Sequence, residues 1–234
     1  MIEEEDFETY LSISKDKFQI IVFDIKNSKN LFSNETIYDN KKKFQILEHL
    51  VDFLDTNIFK IEKLVSTFVR NITFVIDRDE NLSVDICVKK KNYDELINHK
   101  NLENTLIEAK DIFKENYQDQ RITHIVISNY LVNGKKYSTF INNLHSHDLC
   151  LEINFSSISN EFISSLEIIL EKYQIKISQF LNGNYIKNFF NRTKLEPSEM
   201  IFKIKHGYNA NEVLLVPKND ENKGFFEKFF QLFS

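Results

Sequence analysis

Short apolar runs of strand length alternate along the chain with longer stretches whose apolar residues recur every three or four positions. That pattern predicts interleaved strands and helices. Tyr10 to Ser14 and Phe18 to Ile25 flank Lys15-Asp16-Lys17, which predicts an opening β-hairpin. Phe44, Leu47, Leu50, Val51, Leu54 and Ile58 make one face of a helix predicted over 43–59. Ile72 to Ile76 reads as a short buried strand. Leu82, Val84, Ile86 and Val88 alternate with Ser83, Asp85 and Cys87, as a strand with one covered face would. The polar link between these two strands is Asp77-Arg78-Asp79-Glu80-Asn81.

A second block opens near Asn101. Leu102, Leu106, Ala109, Ile112 and Phe113 predict a helix running to about Tyr117. Strands follow at Ile122 to Tyr130 and, past Gly134, at Tyr137 to Ile141. Leu149, Leu151, Ile153 and Phe155 alternate as a strand, and Asn160 is placed to cap a helix carrying Phe162, Leu166, Ile169, Leu170 and Tyr173. With Ile175 and Ile177 opening the next strand, this predicts a strand–helix–strand crossover on one sheet. Beyond Leu181, the alternation of Met200, Phe202 and Ile204 predicts a strand, Gly207 a turn, and Val213 to Val216 another short strand before Pro217.

Composition narrows the function classes. The 234 residues carry a net charge of -5 and a pI of about 5.8, which argues against an electrostatic grip on nucleic acid. The triplets Lys41-Lys42-Lys43 and Lys89-Lys90-Lys91 are solvated faces, too short for a nucleic-acid patch. Gly134, Gly183, Gly207 and Gly224 are the only glycines, and no two share a short loop. Loops that cradle phosphate need clustered glycines, so a P-loop and a dinucleotide fingerprint are both absent. Cys87 and Cys150 stand alone in apolar stretches and are expected to be reduced core thiols of a cytoplasmic protein. Met1-Ile2-Glu3-Glu4-Glu5-Asp6 is acidic where a signal peptide is basic, and no run reaches the roughly 18 apolar residues of a membrane span.

Three sets of residues are candidates for chemistry or binding. His145, His147 and Asp148 have metal-ligand side chains, and two His at i and i+2 on a strand share a side. A zinc site still needs ligands from elsewhere, so a polar loop is the preferred reading and no metal is expected. His124 lies in an apolar run, as a satisfied core histidine does. No catalytic pair emerges: the acids at 3–6 form a tail and those at Asp77 to Glu80 a turn. The third set closes the chain. At 100° per residue, Phe225, Phe226, Phe229, Phe230, Leu232 and Phe233 cover an arc of about 160° on a helix, opposite Glu227, Lys228, Gln231 and Ser234. Such a face suits a reversible anchor in a bilayer interface, a partner groove, or the chain's own core. Each well-buried Phe is worth roughly 1.5–3 kcal/mol, so partial insertion of this face offsets the ordering of a helix.

The second block also resembles a known family. The run Leu102-Glu103-Asn104-Thr105-Leu106-Ile107-Glu108-Ala109-Lys110, followed by Arg121-Ile122-Thr123-His124-Ile125-Val126-Ile127-Ser128-Asn129-Tyr130, is similar to the inserted subdomain of FtsA, the actin-like bacterial cell-division protein. Leu149 to Leu181 resembles that subdomain's strand, helix and closing strand, and residues 8 to 76 match the order of the first actin-like subdomain. The resemblance implies an α/β fold: a partial actin-like (RNase H-like) sheet with an inserted strand–helix–strand subdomain. It implies subdomains at 8–95 and 96–182, short strands completing the body at 183–219, and a terminal amphipathic helix at 220–234.

In the family, ATP sits between a phosphate loop in the opening hairpin and a second glycine-rich loop. Here the hairpin is Ser14-Lys15-Asp16-Lys17, and no glycine-rich loop follows Leu181. The resemblance therefore implies a shortened, non-enzymatic relative with no cofactor. It implies a cytoplasmic adaptor, peripheral on the inner face of the cell membrane through its last helix, with division proteins and further copies of itself as partners. In the family the FtsZ surface lies largely in the half missing here, which leaves FtsZ open as a partner. A soluble interaction module is the alternative, and a small metal-dependent enzyme using His145, His147 and Asp148 is a more distant one.

Overall fold

The computed structural model describes residues 6–38, 46–141 and 144–213. They form two compact units: residues up to Asn81 with Ile158–Tyr208, and Leu82–Ser157 with the segment from Asn209. The breaks fall at Asn81/Leu82 and Ser157/Ile158, where the sequence expectation placed them at 95/96 and 182/183.

The first unit is built on five strands: β1 (Phe7–Ser14), β2 (Lys17–Asp24), β3 (Lys29–Ile37), β4 (Asn71–Asp77) and, after the second unit, a strand at Lys176–Asn182. The sheet order places β3 at one edge, then β2, β1, β4 and the Lys176–Asn182 strand. β1–β2 and β2–β3 are antiparallel, whereas β1–β4 and β4 with the last strand are parallel. The expected α/β fold is present, with a mixed sheet in this unit. β2 and β4 read as nearly continuous apolar runs because both of their faces are covered, whereas β3 at the edge is polar and largely exposed. Leu11, Ile13, Ile20, Ile72, Phe74 and Ile76 pack on one face against α1 (Ile46–Val65) and the helix at Asn160–Glu171. Tyr10, Ile21, Phe23, Val75 and Leu181 face the opposite way, toward helices at Gly183–Phe189 and Pro197–Lys205.

The second unit holds a four-stranded sheet of β5 (Asn81–Leu96), β6 (Gln120–Val132), β7 (Lys135–Tyr137) and β8 (His145–Ser159), in the order β5-β8-β6-β7. Asn133 and Gly134, both with positive φ, make the tight turn from β6 to β7. α2 (His99–Asn116) starts in a reciprocal Asn98/Asn101 capping box and lays Leu102, Leu106, Ala109 and Phe113 on the sheet. Phe113 stacks on Phe155 with ring centroids 5.1 Å apart. Residues 209–213 return to this sheet and run beside β6, with Ile127 N donating to Asn211 O and Val213 N to Ile125 O.

The helices and strand of the first unit that follow β8 are α3 (Asn160–Glu171), β9 (Lys176–Asn182), α4 (Gly183–Phe189) and α5 (Pro197–Lys205). Several expectations change here. β8 and β9 flank α3 but belong to different sheets, so the predicted crossover within one sheet does not exist. Alternation shows that a strand has a covered face and carries no information about which strand pairs with it. Ser159, not Asn160, caps α3, accepting from Phe162 N. Residues 183–189 and 197–205 are short helices rather than strands. Pro197 starts α5, and its buried pair is Ile201 and Ile204, three residues apart, while Met200 and Phe202 are half-buried. The strand predicted over 213–216 lies outside the described residues after Val213.

α5 is tied to β1 through one carboxylate. Glu8 accepts from Tyr10 Oη at 2.7 Å, Lys205 Nζ at 2.9 Å and His206 Nε2 at 3.0 Å. Burial pushes this carboxyl up, but the His206, Lys205 and Tyr10 contacts outweigh it and hold its pKa at about 2. A lowered folded-state value means that the contribution to stability is complete above the unfolded pKa and fades as pH falls toward 2. Denaturant melts between pH 6 and pH 2 are expected to show this acid loss in the native sequence and a shallower one in Glu8→Gln. At neutral pH the same variant is expected to be about 1–3 kcal/mol less stable.

Candidate functional site

The parallel strands β1, β4 and β9 end on the same side of the first sheet, where the β1–β2 turn, Asp77 and the start of α4 meet. In open α/β sheets this is the position where ligands bind. A cleft of about 220 Å³ lies there, with Ser12, Ser14, Lys17 and Asp77 on its polar side and Val75, Ile186, Met200 and Ile201 on its apolar side.

The molecule's own side chains occupy the polar end. Asp77 pairs with Lys187 of α4. A Cβ built on Gly183 would stand 2.6 Å from Asp77 Cβ, so the start of α4 is pressed against the end of β4 with no gap between them. In the turn, Ser14 Oγ donates to Lys17 O at 3.0 Å, and Tyr38 N donates to Asp16 O at 2.8 Å. Tyr38 Oη donates to Ser14 O, and Arg78 Nη1 in turn donates to Tyr38 Oη at 2.6 Å and to Ser14 O at 3.3 Å. The rest of the Arg78 fork grips Glu80 at 2.9 and 3.0 Å. Arg78 is 5% exposed: burial works against its charge, and the Glu80 carboxylate outweighs it, so its pKa stays above the ordinary value. Burial likewise raises the Tyr38 hydroxyl, against the opposing effect of Arg78.

These residues do not fit a nucleotide. Pockets that take ligands of that size run from about 300 to 1,000 Å³. The turn also lacks the glycines that would let backbone N–H groups approach a phosphate, and the nearest cation beside Asp77 is already paired with it.

The other predicted site residues are dispersed. His145 and His147 lie exposed at the start of β8, where His145 Nδ1 is 2.8 Å from Asp94 O and His147 Nε2 is 3.8 Å from Asp94 Oδ1. Asp148 pairs with Lys89 at 3.2 Å. Among the described residues no three His, Cys, Asp or Glu side chains are grouped to hold a metal ion. His124 is the buried core histidine expected, with Nδ1 2.6 Å from Glu212 Oε1. Phe225, Phe226, Phe229, Phe230, Leu232 and Phe233 lie outside the described residues. Among the described residues no helix is long and apolar enough to cross a membrane.

The cysteines differ from expectation. Cys87 and Cys150 are joined in a disulfide between β5 and β8, with Cα atoms 6.6 Å apart. Alternation explains why they are not core thiols. Cys150 sits between Leu149 and Leu151, whose side chains point into the core, so its own side chain points to the opposite face of the sheet. The Arg78–Tyr38–Ser14 network went unseen because it joins three segments that the sequence separates. An arginine set among four polar residues was its only local trace.

No protein-family model matches the chain, and no curated protein matches it. Among solved structures, a PilM-PilN type IV pilus biogenesis complex has a TM-score of 0.49 and 9% identity, covering 78% of this chain and 49% of that one. The cytoplasmic domain of EpsL, an inner-membrane component of the type II secretion system of Vibrio cholerae, has a TM-score of 0.36 and 9% identity, covering 75% of this chain and 57% of that one. A Bacteroides thetaiotaomicron protein of unknown function with an actin-like ATPase fold has a TM-score of 0.34 and 15% identity, with 81% and 58% covered. This chain thus spans about half the length of the first of these.

Proposed function

We propose that the chain is a non-enzymatic adaptor of a membrane-associated protein assembly, built on a partial actin-like body that does not bind nucleotide. The observation that carries this reading is the carboxyl end of the first sheet, where a glycine-free turn is held by the Arg78–Tyr38–Ser14 hydrogen bonds and Asp77 is already paired with Lys187. The resemblance of residues 102–130 to the inserted subdomain of FtsA supports the division machinery as that assembly, with division proteins as partners. The Phe-rich face at 225–233 supports a peripheral attachment to the inner membrane surface.

Fluorescence localisation of the full chain and of a chain ending at 223 tests the reading. The expected result is septal signal that becomes diffuse on truncation. Even peripheral signal would keep the membrane attachment and move the role to another envelope assembly. Diffuse signal from both chains, with truncation lowering the melting temperature, would replace the adaptor at the membrane by a soluble module. Titration calorimetry with ATP and magnesium is expected to show no heat of binding, and micromolar binding would overturn the reading of the site.

A further inference from the structure

We propose that Cys87 and Cys150 form a reversible modification site, in which Cys87 exchanges with small thiols and disulfides while Cys150 serves as its resolving partner. The two residues are the only cysteines in the chain, and they face each other across β5 and β8. Their surroundings are unequal. Cys87 is exposed on the outer strand of the sheet, whereas Cys150 is 8% exposed between β5 and β6. Access decides which sulfur an incoming thiolate reaches, so the exchange has a direction built into it.

Neighbouring contacts on the same face hold the strands in place whether or not the bond is present. Asn154 Nδ2 donates to Ser83 Oγ at 2.9 Å and to Asp85 Oδ1 at 2.7 Å, and Lys89 pairs with Asp148 at 3.2 Å. The contacts 83 to 154, 87 to 150 and 89 to 148 run in opposite directions along the two strands, so the sulfurs stay opposed after reduction. Oxidation then proceeds in two exchanges. The Cys87 thiolate attacks a small disulfide, forms a mixed disulfide and releases one small thiolate. The Cys150 thiolate next attacks Cys87 Sγ and expels the second. Two protein thiols lose two electrons and two protons, and one small disulfide becomes two thiols. Excess small thiol drives the same steps backwards, entering at Cys87.

The bond closes a loop with a sequence separation of 63, so it should stabilise the second unit chiefly by restricting its unfolded chain. The test equilibrates the full chain in glutathione buffers of graded ratio, quenches with acid, and reads each cysteine by alkylation and mass spectrometry. The expected result is full interconversion of bonded and reduced forms, with glutathione carried on Cys87 alone and a melting temperature about 10 °C lower for the reduced form. Cys150→Ser should accumulate the mixed disulfide at Cys87, while Cys87→Ser should take up no glutathione without denaturant. If either variant fails to fold, alkylation of the reduced native sequence decides the point, with Cys87 expected to react at least tenfold faster than Cys150. Glutathione on Cys150, equal alkylation rates, or two free thiols persisting in oxidised glutathione would overturn the proposal.

Discussion

Replacing Arg78 by alanine is expected to lower the melting temperature by roughly 5–10 °C, corresponding to a loss of about 2–3 kcal/mol. The guanidinium is buried and donates in three directions, to Ser14 O, Tyr38 Oη and Glu80. Arg78, Tyr38 and Ser14 form a chain in which each donor strengthens the next, and such chains lose more than the sum of their pairs when the head is removed. The Glu80 side chain is 32% exposed, so water can recover part of its hydrogen bonding, which keeps the loss below that of a wholly buried pair. Arg78→Lys keeps the charge but not the planar fork and should recover less than half of the loss. Tyr38→Phe should cost about 1 kcal/mol, and the double variant should cost less than the sum, because both act on the Ser14 carbonyl. A shift below about 2 °C for Arg78→Ala would mean that the turn holds its shape without this network, and the case for a filled phosphate position would lose its main support.

The sequence showed which segments are strands and helices wherever one physical signal dominated. The opening hairpin, α1 and α2 were legible because their apolar residues answer to a single period. α5 was misread because Met200, Phe202 and Ile204 alternate by chance, while the contact that matters, Ile201 with Ile204, follows the helical spacing. Pro197 was the available cue, since proline at the first turn favours a helix. Strand pairing was not legible at all. Val84 to Val88 of β5 and Ile72 to Ile76 of β4 carry similar side chains, yet one joins the second sheet and the other the first. The filled site was half legible: the missing glycines are visible in the turn, but the residues that close it come from positions 14, 38, 77, 78 and 187. Cys87 was the most instructive error. Its neighbours Ile86 and Val88 are apolar, and an apolar neighbour on a strand points away from the residue in question.

Removing the carboxylate of Glu212 is expected to have the largest single effect, about 3–5 kcal/mol for Glu212→Ala. His124 Nδ1 meets Glu212 Oε1 at 2.6 Å, and the two side chains are 1% and 4% exposed. The alanine variant leaves the imidazole in an apolar interior without its short contact, and water has little access to replace it. Glu212→Gln keeps an acceptor of similar shape and should cost only about 1–2 kcal/mol. Replacing both partners by leucine tests the cause, since exchanging both members of a buried hydrogen-bonded pair for packed apolar side chains is often nearly neutral. The double variant is therefore expected to recover most of the loss, whereas a packing defect alone would leave it as unstable as Glu212→Ala. Hydrogen exchange localises the effect. The amides of Ile127 and Val213 bond the 209–213 segment to β6, so both should lose protection in Glu212→Ala while Phe74 and Ile76 in the first sheet keep theirs.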